Sequence, residues 1–103
     1  MPEKVNHTPP TVISGVLYTD DEATTGARVG SPAWFAWLTS ASTFYYEGPG
    51  GAFTARHETR QRGGAYWFAY RKEGGRLHNC YLGKAEALTV DKLAEAALRL
   101  AGV

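Results

Sequence analysis

Apolar residues along the chain change from helical spacing to alternation and then back to helical spacing. Ser31-Pro32 is typical of a helix start, because Ser caps the first turn and Pro lacks only an N–H that would stay unbonded there. The following apolar residues fall on one helix face: Trp34, Trp37, Leu38 and Ala41. The pattern predicts a helix whose aromatic face packs against the core, with a subunit contact as the alternative use of that face.

The middle of the chain has strand composition, in segments 43–48, 52–60, 65–72 and 76–83. In segment 52–60 one face would carry Phe53, Ala55, His57 and Thr59, and the other Thr54, Arg56, Glu58 and Arg60. Gly74-Gly75 predicts a two-residue hairpin turn between the last two segments.

A second helix is predicted after Thr89, which would cap it, with Gly102 at its end. Its buried stripe would be Val90, Leu93, Ala97 and Leu100. The expected fold class is therefore α+β, a three- to four-stranded antiparallel sheet flanked by an N-terminal helix and packed by a C-terminal helix. Residues 31–103 would form this single domain, and residues 1–30 a flexible arm that could contain a short strand.

Composition narrows the class of protein. The 103 residues suffice for one domain, 44% are hydrophobic and 20% charged, and the single Cys cannot form an internal disulfide. No zinc-ligand spacing, signal peptide or apolar run of membrane-spanning length is evident. A cytoplasmic protein without a cofactor is expected.

Charge is distributed unevenly although the net charge is only +1. Residues 53–84 contain seven Arg and Lys against two Glu, a local balance of +5, while the segments on both sides are negative. Such clustering is typical of a surface that binds a polyanion, and equally of the solvated face of a sheet.

Catalytic groupings are sparse. His78 and Cys80 share one side of a strand, but a Cys at such a position is commonly a buried apolar residue. His57 lacks an acid partner on its own face, and the glycines lack the Lys-Ser/Thr of a phosphate-binding loop. We therefore expect no enzymatic activity.

Double-stranded DNA is the predicted partner, because an antiparallel sheet can enter the major groove and Arg can bind guanine bidentately. Arg56 and Arg60 would contact bases or phosphates, and the other basic residues mainly phosphates. The predicted contact residues are Arg56, Arg60, Arg62, Arg71, Lys72 and Arg76, with Thr54 and Tyr70 as secondary contacts.

Two other uses of the same region remain open. Trp34, Trp37 and exposed sheet aromatics could dock a protein partner or a second copy of the chain. Alternatively, the aromatics could stack on single-stranded DNA or RNA.

The segment RLHNCYLGKAEALTVDKLAEAALRLA resembles the end of AP2-type and integrase arm-binding domains. Those are three-stranded sheets backed by a helix, and they lay the sheet in the DNA major groove. The matching features are Leu82-Gly83, the Ala-rich helix, and Trp67 with Ala69 as a Trp-x-Ala strand. The resemblance spans about residues 52–101 and implies DNA binding through the strands.

A longer resemblance is carried by SPAWFAWL, FYYEGPGGAFTARHETRQRGGAYWFAYRK and GRLHNCYLGKAEALT. These segments are similar to a bacterial region that precedes the ATPase module of large LuxR-type transcription regulators or occurs alone. The resemblance implies a setting in transcription regulation or mobile DNA. His57, Asn79 and Cys80 stand where that region often has Lys or Arg, which implies a lower affinity for nucleic acid.

Overall fold

The fold is known from a computed structural model, in which residues 9–60 and 64–102 are described, without the side chain of Arg60. The strands are β1 (Thr11–Ile13), β2 (Val16–Tyr18), β3 (Thr43–Gly48), β4 (Gly51–Arg60), β5 (Gly64–Glu73) and β6 (Arg76–Gly83). The helices are α1 (Pro32–Leu38), a 3₁₀ turn (Ala85–Ala87) and α2 (Val90–Ala101).

Both helices begin at the predicted caps. The Ser31 side chain accepts a hydrogen bond from the Trp34 amide at 3.2 Å, and Thr89 accepts one from the Lys92 amide at 3.2 Å. Each bond satisfies an N–H that the first turn leaves without a helical partner. Val90 departs from the predicted buried stripe of α2, because it begins the helix and is 51% exposed, whereas the buried residues start at Leu93.

The predicted Gly74-Gly75 turn is confirmed. Both glycines have positive φ, 60° and 83°, which is the type I′ geometry that suits the twist of a two-stranded hairpin. The turn places Glu73 opposite Arg76, and the register runs from there to Phe68 opposite Tyr81.

The predicted three- to four-stranded antiparallel sheet is wrong, because the structure contains one six-stranded mixed sheet with the order β2-β1-β3-β4-β5-β6. Residues 11–18, assigned from sequence to the N-terminal arm, form the hairpin of β1 and β2. β1 then pairs with β3 in parallel. The helix α1 is consequently not N-terminal to the sheet but lies in the connection between β2 and β3. Residues 1–8 of the predicted arm lie outside the described residues.

The hydrophobic core occupies one face of the sheet, which both helices cover. Its largest fully buried side chains are Trp34, Trp67, Phe44 and Phe53. Trp34 stacks against Trp37 and contacts Phe44 edge-on, and its Nε1 donates to the Leu88 carbonyl oxygen at 2.9 Å. This places the α1 aromatic stripe in the core, as its spacing predicts, and leaves Trp37 only half-buried.

The opposite face of the sheet has no helix over it among the described residues. Because side chains alternate along a strand, every second residue of β3 to β6 projects from this face. We call it the open face. In the described ranges no helix is long and apolar enough to cross a membrane.

Candidate nucleic-acid interface

The open face carries aromatic and polar side chains in cross-strand rows. One row contains Tyr45, Thr54, Tyr70 and Asn79, and the next contains Thr43, Arg56, Phe68 and Tyr81. Beyond these rows lie Glu58 opposite Tyr66, and Lys72 opposite Leu77. The predicted contact residues Thr54, Arg56, Tyr70 and Lys72 are therefore together on this face.

Arg56 lies over the ring of Tyr70, with its guanidinium carbon 5.6 Å from the ring centroid. The Tyr70 hydroxyl in turn donates a hydrogen bond to Oε2 of Glu58. The ring is thus held at its hydroxyl end and supports the guanidinium by a cation–π contact. Because no carboxylate among the described residues lies within ion-pair distance of Arg56, its N–H donors remain available to a ligand.

A second aromatic group lies where β5 meets β6. The Tyr81 ring lies 5.4 Å from Phe68 and 5.9 Å from Tyr66, measured between centroids. Tyr81 is 55% exposed, and Tyr45 on the other side of β4 is 39% exposed. These rings present π surface and hydroxyl groups outside the core.

The hairpin end of the sheet supplies further positive charge. Lys72 and Arg76 are both exposed, on β5 and β6 close to the Gly74-Gly75 turn. Lysine and arginine at such positions can reach phosphates from the margin of the sheet.

Arg71 lies on the helix-covered face, away from Arg56 and Lys72. Arg76, which pairs with Glu73, projects to the same side of the sheet as Arg71, at the hairpin end. The Nη2 atom of Arg71 is 3.3 Å from Oε1 of Glu73, and its Nη1 lies 3.0 Å from the point that a Cβ on Gly51 would occupy. That point is also 3.3 Å from the Ala97 carbonyl oxygen in the last turns of α2. Arg71 therefore stabilises the packing beneath the C-terminal end of the helix, where positive charge is favourable.

Two of the predicted contact residues fall where the structure gives no side chain. Arg62 and the side chain of Arg60 lie outside the described residues, although Arg60 ends β4.

The described side chains of the open face are electrostatically mixed. Arg56 and Lys72 are balanced by Glu47 and Glu58 on the same face of the strands. The sequence excess of +5 thus extends over both faces and the strand ends instead of forming one basic patch. Stacking and hydrogen bonding must contribute much of any affinity for a ligand.

The helix-covered face contains the potentially reactive residues. His57 stacks on the buried Trp67 at 4.9 Å, and Cys80 packs partly buried against the core. The Trp67 Nε1 atom is buried and has no hydrogen-bond partner among the residues that the structure describes. Within the described ranges no three His, Cys, Asp or Glu residues form a group that could hold a metal ion.

Sequence reasoning missed most of the aromatic side of the open face. Tyr66 and Phe68 share strand parity with Tyr70, and the two-residue turn alone fixes Tyr81 opposite Phe68. This register places Phe68 and Tyr81 beside the predicted contact Arg56.

A family model described as "Domain of unknown function (DUF6788)" matches residues 41–93. The chain belongs to this family. The DUF6788 match covers β3 to β6 and the start of α2, and therefore every strand that builds the open face described above. No curated protein and no solved structure matches the chain.

Proposed function

We propose that the chain is a non-catalytic module that binds double-stranded DNA through the open face of β4, β5 and β6. The protein would act in the cytoplasm, in the regulation of transcription or of mobile DNA. The observation that carries the proposal is the grouping of Thr54, Arg56, Tyr70 and Lys72 on a sheet face whose reverse side is covered by α2.

The dimensions of the sheet suit the major groove. Neighbouring strands lie about 4.8 Å apart, so the backbones of β4, β5 and β6 together span about 10 Å, which is within the width of about 12 Å of the groove. The tight Gly74-Gly75 turn keeps the β5–β6 end narrow. The resemblance of about residues 52–101 to AP2-type domains implies DNA binding through the strands, which supports this mode of binding.

Arg56 is the proposed central contact. Its support on the Tyr70 ring limits the conformations of a long side chain, so less entropy is lost when it binds a guanine edge or a phosphate. Thr54 and Tyr70 would add hydrogen bonds from the neighbouring row, and Lys72 and Arg76 would contact phosphates.

The test is selection from a random duplex library, followed by binding titrations of Arg56→Ala and of Arg99→Ala. Arg99 is the matched control, because it is an exposed arginine on α2, on the other side of the sheet. We expect Arg56→Ala to weaken duplex binding by roughly tenfold, as for loss of one well-formed base contact, and Arg99→Ala to leave it nearly unchanged.

Salt dependence gives an independent measurement. The logarithm of affinity should fall linearly with the logarithm of salt concentration, with a slope of about −0.9 for each phosphate contacted. No duplex binding, or equal losses in the two variants, would contradict the proposal.

Single-stranded nucleic acid is a second candidate ligand, favoured by the exposed rings of Tyr45 and Tyr81 on the same face. Stacking of one base on an aromatic ring contributes about 1–3 kcal/mol. If this mode dominates, Tyr81→Ala will weaken binding to a single strand more than Arg56→Ala does. The single strand will then also bind more tightly than the duplex of the same sequence.

A further inference from the structure

The two edges of the sheet differ in how their backbones are covered. At the β2 edge, the Leu17 amide donates to the Ala27 carbonyl at 2.8 Å and the Gly26 amide donates to the Leu17 carbonyl at 2.6 Å. A bridge between Val16 and Arg28 continues this cover. At the other edge β6 has no further strand beside it in the part of the chain that the structure describes.

The register determines which backbone groups of β6 face outward. Arg76 closes the Gly74-Gly75 turn opposite Glu73, and in such a turn these two residues are hydrogen-bonded to each other. Because bonded pairs alternate along an antiparallel ladder, His78 and Cys80 also bond to β5. The N–H and C=O groups of Leu77, Asn79 and Tyr81 therefore point away from the sheet.

The outward residues lack the features that usually protect an edge strand. None of the three is charged or proline, and Leu77 and Tyr81 are 64% and 55% exposed. Within the described ranges, these backbone groups have one weak contact, from Sγ of Cys80 to the Tyr81 carbonyl oxygen at 3.7 Å. An uncovered, uncharged edge of this kind is a template for another strand.

We propose that β6 pairs antiparallel with β6 of a second copy of this chain, about a two-fold axis that passes between the two Asn79 residues. In this register Leu77 of each copy lies opposite Tyr81 of the other, so the two exposed apolar side chains cover each other twice. Asn79 lies opposite its own counterpart, where two side-chain amides can hydrogen-bond.

The charges beside the edge favour a second copy over another partner. A groove of 610 Å³ lies between β6 and α2, lined among others by Lys92, Glu95 and Arg99. Because this wall carries both signs of charge, a two-fold mate can oppose Glu95 with Lys92, whereas a uniformly acidic or basic peptide would meet a like charge. The pairing goes beyond the proposed DNA binding and does not depend on it.

The test measures the molar mass of the whole chain against concentration, by sedimentation equilibrium or light scattering. We expect a concentration-dependent dimer in the unmodified chain. Asn79→Pro removes one outward N–H without breaking the bonds to β5, and should raise the dimer dissociation constant by roughly tenfold or more. Tyr81→Lys should also raise the dimer dissociation constant, because a charged side chain on the edge strand disfavours pairing with another strand.

Tyr18→Lys is the matched control, because Tyr18 is a similarly exposed tyrosine, 48%, on the edge strand at the other end of the sheet. It should leave the dimer unchanged. Hydrogen exchange of the unmodified chain gives a measurement that needs no variant: the amides of Leu77, Asn79 and Tyr81 should exchange more slowly as concentration rises. A monomer at all concentrations, a dimer unaffected by the β6 variants, or exchange independent of concentration would each overturn the proposal.

Discussion

The two faces of the sheet differ although the same strands build both. In β5 the consecutive residues Trp67 and Phe68 are both aromatic, yet Trp67 is fully buried against Phe44 while Phe68 lies half-buried beside Tyr81. Position relative to the helices, and not residue type, decides which aromatic serves the core. A run of aromatics in a strand therefore supplies a core and a partly exposed aromatic surface at once.

The consecutive basic residues Arg71 and Lys72 also lie on opposite faces of the sheet. Arg71 turns towards the C-terminal end of α2, and Lys72 projects from the open face. The difference shows that local charge in the sequence overestimates the charge of either face. Substitutions of neighbours on one strand can therefore separate stability from binding.

The largest expected effect contrasts Trp67 with Phe68. Trp67→Ala should destabilise the fold by about 3–5 kcal/mol, because it empties a fully buried site in contact with Phe44 and His57. Phe68→Ala should cost about 1 kcal/mol, because its ring is partly solvated and the site can collapse. Denaturant unfolding monitored by circular dichroism measures both, and equal losses would show that the faces do not differ in this way.

The second-largest expected effect contrasts substitution of Lys72 with substitution of Arg71. Lys72→Ala should weaken duplex binding by about threefold to tenfold with unchanged stability, because it would remove the proposed phosphate contact. Arg71→Ala should leave binding nearly unchanged and cost about 1 kcal/mol or less of stability, as its ion pair with Glu73 is partly exposed. Binding titrations at fixed salt, with unfolding curves of both variants, measure the two effects. A larger loss of binding in Arg71→Ala than in Lys72→Ala would contradict the proposal that Lys72, and not Arg71, contacts DNA.

A smaller effect is expected at Glu58. Glu58→Gln removes a negative charge from the open face while its amide oxygen can still accept the Tyr70 hydrogen bond. Duplex affinity should rise by roughly twofold to threefold, because a phosphate then meets less repulsion. Glu95→Gln on α2 is the matched control and should not raise affinity, so a gain in both variants would indicate a general charge effect.

The smallest effect concerns alkaline pH. Burial raises the pKa of Tyr46 above its usual 10.0, so the folded state keeps a proton that the unfolded state releases. Stability should therefore fall as pH rises above about 10, the unfolded-state value. Tyr46→Phe should show a shallower fall, and identical pH profiles of unfolding would contradict this contribution.

Local signals in the sequence predicted the local structure. Ser31 and Thr89 are caps, Gly74-Gly75 is a hairpin turn, and alternation in β4 places Phe53 and Ala55 in the core. Each of these features depends on interactions between residues close in the chain, or on a side-chain period that a strand imposes.

The sheet size and the extent of the candidate site depend on distant contacts. β1 and β2 are three residues each, and the parallel pairing of Val12 with Tyr46 spans the whole of α1 and its loops. No local pattern specifies such a pairing. Likewise, strand parity shows that Arg71 and Lys72 project to opposite faces. Only the position of α2 shows which of the two residues projects from the open face.

The most direct test of the central claim is a two-dimensional ¹H–¹⁵N NMR titration of the chain with a selected duplex. The account predicts that backbone amide shifts concentrate at Thr54, Arg56, Tyr70 and Lys72, while amides in the buried turns of α2 around Leu93 to Leu100 change little. Shifts concentrated on α2, or none at saturating duplex, would contradict the claim that the open face of the sheet binds DNA.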